Sequence, residues 1–180
     1  MLKLLEPDRA GIPSSLRAIP QWVCWIAVPR DNGKVSKVPV SAALNCAGAP
    51  ASVDKPPTWT DFETAWAYYE KNRGQKLKVA GKSGPLSGVG IVLTRELGLM
   101  GVDLDNAIEN GTLKVWARDL LLRTSTYTEF SPSGCGLRMF TKGTLPPEAP
   151  KRVGNIELYC SGRFLTLTGR LFDRRVLNVA

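Results

Sequence analysis

Two aspartates two residues apart, Asp103 and Asp105 in the run GLMGVDLDNA, carry the clearest chemical signal in this sequence. On a strand, side chains alternate, so residues i and i+2 point to one face. Met100, Val102 and Leu104 then face a core, while both acids share the opposite surface. Two like charges held close repel. A divalent cation removes that cost, so the pair reads as a metal cradle, and metal-dependent phosphate chemistry is its leading use.

Two further strands place polar residues where they can join this pair. Over Leu137 to Lys142, alternation sets Arg138 and Phe140 opposite Leu137, Met139 and Thr141. Over Asn155 to Cys160, it sets Glu157 and Tyr159 opposite Ile156, Leu158 and Cys160. If the three strands are neighbours, three carboxylates and one guanidinium converge, and a site for one or two Mg²⁺ or Mn²⁺ ions results. Two ions about 4 Å apart would clamp an attacking hydroxyl and a leaving pyrophosphate. The loop Ser131-Pro132-Ser133-Gly134-Cys135-Gly136 runs into Arg138. Gly134 and Gly136 permit close backbone approach, and Ser131 and Ser133 add hydroxyl donors. Arg138 offers a fixed fork for phosphate oxygens. A triphosphate pocket is the expectation. It is not a Walker A loop, because no Gly-Lys-Ser/Thr follows.

The supporting elements read as follows. Residues 1–19 look like a loose lead-in, and Gln21 to Val28 reads as a strand. Asp31-Asn32-Gly33 is a hairpin turn, with Val35 to Val40 returning, and residues 41–57 read as a loop. Thr60 and Glu63 form a capping box that starts a helix ending near Asn72. Phe62, Ala65, Trp66 and Tyr69 fall at i, i+3, i+4 and i+7 and face the core. Gly88 to Thr94 and Leu99 to Asp105 read as neighbouring strands across a short turn. A second helix spans Leu113 to Arg123, with Leu113, Trp116, Ala117, Leu120 and Leu121 on one stripe. Strands follow at Tyr127 to Phe130, Leu137 to Lys142, Asn155 to Cys160 and Arg163 to Leu167. Ser161-Gly162 reads as the turn of a last hairpin. Helices mixed with a mainly antiparallel sheet make an α+β fold.

Composition narrows the partners. The 180 residues, 43% of them hydrophobic, suffice for one domain with a core. No apolar run reaches the roughly 18 residues that a membrane helix needs. The first residues are too short in apolar character for a signal peptide, so a cytoplasmic, membrane-free protein is expected. Cys24, Cys46, Cys135 and Cys160 are scattered without a CxxC pair, which argues for reduced thiols rather than structural zinc. The chain has no histidine. Ser-His-Asp catalysis, Cys-His catalysis and histidine-metal sites are therefore excluded. The net charge of +8 favours a polyanionic partner. Lys71, Arg73, Lys76, Lys78 and Lys82 lie in an acid-free stretch from 71 to 95, and Arg163, Arg170, Arg174 and Arg175 form a second group. A solvated basic surface is the alternative reading of both. Lys34, Lys37, Lys76, Lys78 and Lys82 are the candidate nucleic-acid contacts.

The order of these pieces resembles a family. A DxD strand, a helix containing WA, then YTEFSPSGCGLRMF and NIELYCSGRFLTLTG are similar to the primase-polymerase domains of the archaeo-eukaryotic primase superfamily, in their phage and plasmid form. The WVCW strand, the Lys34 to Pro39 segment and the TWTDFETA helix start match too, so the resemblance spans about residues 18–170. It implies an RRM-like catalytic core at about 87–170 behind an N-terminal subregion at about 20–86, in a domain of residues 20–180. Asp103, Asp105 and Glu157 would hold metal. The family's second motif usually ends in a histidine that contacts the incoming nucleotide's phosphates, and here Arg138 stands in that place. Arginine keeps the charge but does not deprotonate. Arg163, with Thr166 or Thr168, would also reach nucleotide or template. The expected activity is template-directed nucleotidyl transfer from nucleoside triphosphates on single-stranded DNA, with a helicase as a possible partner. A nucleic-acid-binding module without chemistry and a metal-dependent nuclease remain open alternatives.

Overall fold

The computed structural model describes residues 4–175. Residues 1–3 and 176–180, the outer ends of the expected lead-in and catalytic domain, lie outside that range. The fold is α+β, built from two antiparallel five-stranded sheets and a small hairpin.

After a 3₁₀ turn at Arg9–Gly11 come α1 (Ser14–Arg17), β1 (Trp22–Pro29) and β2 (Val35–Val40). Then follow α2 (Phe62–Asn72), β3 (Lys76–Val79) and β4 (Lys82–Leu93). The first sheet has the order β12-β4-β1-β2, with β3 also on β4, where β12 is Arg163–Leu167. The second half contributes β5 (Leu99–Leu104), the hairpin β6 (Ile108–Glu109) and β7 (Thr112–Leu113), and α3 (Val115–Leu122). β8 (Tyr127–Phe130), β9 (Leu137–Lys142), β10 (Arg152–Val153) and β11 (Ile156–Tyr159) complete it. The second sheet has the order β10-β11-β5-β9-β8. Its path β5, α3, β8, β9, β11 is the split β-α-β arrangement expected of an RRM-like core. A connection without regular helix replaces the second helix between β9 and β11.

Period-two alternation explains the layering. One face of the second sheet packs Val102, Leu104, Leu137 and Met139 against Ala117 and Leu121 of α3. The other face turns Phe140 and Leu99 into a larger core shared with the first sheet. That core also holds Trp22, Cys24 and Ile26 of β1 under Phe62, Ala65, Trp66 and Tyr69 of α2. The aromatic stripe of α2 is thus core, as its spacing predicts. β5 can approach β12 because residue 101 is glycine: a Cβ there would sit 2.0 Å from Leu165 Cδ1.

Several expectations need correction. The cap of α2 is Asp61, whose carboxylate accepts from the Thr64 amide and hydroxyl, while Glu63 pairs with Arg9. The aspartate, one residue nearer, caps in place of Thr60. α3 begins at Val115, and Leu113 belongs to β7. β4 and β5 are not paired neighbours but lie in different sheets, so the 94–98 turn carries the chain from one sheet to the other. Ser161-Gly162 does the same: β11 pairs with β5 and β12 with β4, and the expected last hairpin does not form. The division near 86/87 falls inside β4, and β12 returns to the first sheet. Nor is the lead-in loose within the described residues. Ile12 and Leu16 are buried, Leu5 N–H donates to Pro132 O, and Asp8 N–H donates to Thr168 O.

Candidate active site

β11, β5 and β9 are adjacent, and their register aligns the chemical residues. Glu157 is opposite Asp103, and Asp103 is opposite Arg138. The row extends both ways: Arg152 is opposite Glu157, and Glu129 is opposite Arg138. One line of five charges, Arg152–Glu157–Asp103–Arg138–Glu129, therefore crosses the whole sheet. Cross-strand neighbours on one face have Cβ atoms about 5 Å apart, so each charge is set against the next. Asp105 follows Asp103 two residues on, just past the end of β5.

Arg138 is buried in this row, between Asp103 and Glu129. One Nη donates to Asp103 Oδ2 at 3.1 Å, and the other donates to Thr166 O at 2.6 Å and to Thr166 Oγ1. Its Nε is buried without a hydrogen-bond partner among the described residues. The guanidinium thus ties the second sheet to β12 of the first. Arg138 also lines the acidic cleft with Asp103 and Thr166, to which its guanidinium is bonded.

Glu129, fully buried, accepts from Tyr127 Oη at 2.6 Å, Thr168 N at 3.0 Å and Gly169 N at 2.7 Å. Burial pushes its carboxyl upward, against the pull of these donors and of Arg138. Sequence reasoning passed over Glu129. The available signal was its alternation with Tyr127 on a strand beside Arg138.

The outer acids lie nearer solvent. Glu157 Oε1 accepts from Arg152 Nη1 at 2.6 Å, and Glu157 Oε2 accepts from Tyr159 Oη at 2.5 Å. Arg152 Nη2 lies 3.7 Å from Asp105 Oδ2. Burial pushes the Asp105 carboxyl up, and the charges of Asp103 and Glu157 push it further. That repulsion is the physical mark of three acids sharing one neighbourhood.

The acids line a cleft of about 390 Å³ between the sheets. Lys37 on β2 and Arg163 at the start of β12 line it too. Burial and then the charge of Arg138 lower the half-buried Lys37 ammonium to about 7, against the opposing pull of Asp103, Asp105 and Glu157. Arg163 stacks over the Tyr159 ring at 4.7 Å and donates to Tyr159 Oη at 3.0 Å.

The remaining expected contacts are elsewhere. Ser131, Ser133, Gly134, Gly136 and Thr168 do not line the acidic cleft. Ser131 and Ser133 hydrogen-bond each other, and Gly134 lines a separate cavity with Leu5, Asp8 and Arg170. Gly136 is pressed against the backbone of Leu104, and the Thr168 hydroxyl donates to Phe130 O. These residues brace β8, β9 and the lead-in. Lys34 lies exposed beside the β1–β2 turn, and Lys76, Lys78 and Lys82 lie exposed on the β3–β4 hairpin. Of the five candidate lysines, only Lys37 lines the acidic cleft.

Among the described residues, no three Asp, Glu, Cys or His side chains form a ready-made metal cage. The donor set still suits a hard cation: three carboxylates, two of them bridged by an arginine that a cation of higher charge can replace.

A DNA primase-polymerase of Nitratiruptor phage NrS-1 is 34% identical over 162 residues, covering 86% of this chain. The aligned part is 20% of the relative, so the chain spans about a fifth of that relative's length. No protein-family model matches the chain. The similarity supports a relationship to the phage primase-polymerases. Among the described residues, no helix is long and apolar enough to cross a membrane.

Proposed function

We propose that the chain carries the nucleotidyl-transfer centre of a DNA primase-polymerase, working in the cleft lined by Asp103, Asp105 and Glu157. The observation that carries this reading is the register that sets Glu157 beside Asp103 on the strand ending at Asp105. The 34% identity to a phage DNA primase-polymerase supports the choice of reaction.

In this reaction a 3′-hydroxyl attacks the α-phosphorus of a nucleoside triphosphate. The new O3′–P bond forms as the bond to the bridging oxygen breaks, and pyrophosphate leaves. Asp103, Asp105 and Glu157 would hold Mg²⁺ or Mn²⁺, which supplies charge neutralisation and lowers the pKa of the attacking hydroxyl. With no histidine in the chain, the hydroxyl proton would go to water, to a carboxylate or to the neutral amine of Lys37. Lys37 and Arg163 line the cleft with the acids, as does Arg30 at its rim, and Lys37 and Arg163 would hold phosphate oxygens. Arg138 acts by holding Asp103. Arg152 bridges Glu157 and Asp105, and a cation held by these acids would take its place.

The test is extension of a primed single-stranded template with Mg²⁺ and with Mn²⁺. Asp103→Asn/Asp105→Asn is expected to lose incorporation by at least about a thousandfold, as removal of a metal-supported step implies. Activity that persists in this variant overturns the assignment. One observation favours a second reading, a nucleic-acid-binding module without chemistry: the arginine in the family histidine's place is buried in structural bonds. Strand binding by the wild-type chain with no incorporation under either metal selects that reading.

A further inference from the structure

A second cavity, of about 540 Å³, lies beside the acidic cleft at the β1–β2 hairpin. Arg30 and Val35 line both spaces. The floor of the second cavity is apolar, built from Leu5, Ala27, Pro29, Leu86 and the buried Tyr69. Its lining carries three exposed cations, Arg30, Lys34 and Arg73, against one acid, Glu6. Among the described residues, no ion pair involves any of the three cations.

The combination selects an occupant. A free phosphate needs cations but no apolar floor. An apolar peptide needs the floor but gains nothing from three cations at the rim. A single nucleic-acid strand presents both, flat bases with apolar faces and a phosphate on either side of each. We propose that this cavity takes a base of single-stranded DNA, with flanking phosphates on Arg30, Lys34 and Arg73, as the strand runs toward the acidic cleft. The direction of the strand rests on the nucleotidyl-transfer reading; the binding site itself does not.

The experiment is anisotropy of a labelled oligothymidylate titrated with the protein across a salt series, without metal or nucleotide. Lys34→Glu/Arg73→Glu is expected to weaken binding at least tenfold. It should also flatten the slope of log K against log salt by about 1.4, at roughly 0.7 per phosphate contact on a single strand. Ser87→Trp, which fills the cavity without changing charge, is expected to weaken binding several-fold at unchanged slope. Thermal melts matching wild type establish that both variants fold. Wild-type affinity in both variants overturns the proposal. So does weakening confined to Lys76→Glu/Lys78→Glu, which would place the strand along β3 instead. Asp103→Asn/Asp105→Asn separates the two readings. Strand affinity kept by Asp103→Asn/Asp105→Asn, with no incorporation by wild type, defeats transfer and leaves the cavity. Incorporation with indifference to the cavity variants does the reverse.

Discussion

The chemistry of single residues here is set by neighbours in register. Asp105 shows this most plainly, since burial and then Asp103 and Glu157 push its carboxyl above the usual aspartate range. A raised carboxyl holds its proton to higher pH, so protons compete with a metal more strongly than at a free aspartate. Mn²⁺ affinity is therefore expected to fall as pH drops toward that raised value and to recover above it. Calorimetric titration over a descending pH series should show the fall in wild type and a much smaller one in Asp105→Asn. Arg138 makes a contrasting prediction. Its guanidinium lies between Asp103 and Glu129, with a side chain only 3% exposed. Removing one partner from a buried pair costs about 3–5 kcal/mol. Arg138→Met should lower unfolding stability by about that much in denaturant melts. Little loss would mean that the guanidinium braces nothing. That Asp103, Asp105, Glu157 and Arg138 could share one face was legible from alternation, given neighbouring strands. The burial of Arg138 was not, because it depends on Thr166, a residue of the other sheet.

Elements show where local pattern is enough and where it fails. The α2 stripe, β1, β2, β5, β8, β9, β11 and β12 all follow from period and turn chemistry in the sequence. β3 and β10 did not stand out, since a four-residue strand rich in lysine and a two-residue strand carry almost no periodic signal. Missing β10 hid Arg152, the residue that bridges Glu157 and Asp105. The cap of α2 gives an element-scale test. Its Asp61 carboxyl is held below its ordinary value, first by the Thr64 amide and then by the Thr64 hydroxyl. A depressed carboxylate stabilises above its unfolded pKa and loses that contribution as pH falls through the folded value. Asp61→Ala should cost about 1 kcal/mol at pH 7. The difference between the two proteins in thermal melts should shrink below pH 4.

At the scale of the whole molecule, the two sheets meet through crossings that no local pattern announces. A turn such as Ser161-Gly162 reads the same in sequence whether it closes a hairpin or passes the chain between sheets. Only the long-range pairing of β12 with β4 decides it. The packed lead-in is likewise nonlocal, resting on Asp8 N–H to Thr168 O and on the Gly169 backbone. Gly169 has φ +63°, and a Cβ there would lie 1.9 Å from Asp8 O. Gly169→Ala must therefore bear left-handed strain and displace the lead-in. It is expected to lose at least about 1–2 kcal/mol of stability, read as a lower melting temperature with faster proteolysis of the first residues. The same crossings put Lys37 and Arg163 of the first sheet opposite the acids of the second, so the cleft exists only when both sheets are assembled. Its occupancy can be observed directly, in crystals soaked with Mn²⁺ and a nucleoside triphosphate that cannot be cleaved between its α- and β-phosphates. The predicted result is anomalous Mn²⁺ density bounded by Asp103, Asp105 and Glu157, with Arg152 displaced and the triphosphate against Lys37 and Arg163. Density absent from those carboxylates, or a triphosphate seated on the 131–136 loop instead, would contradict the account.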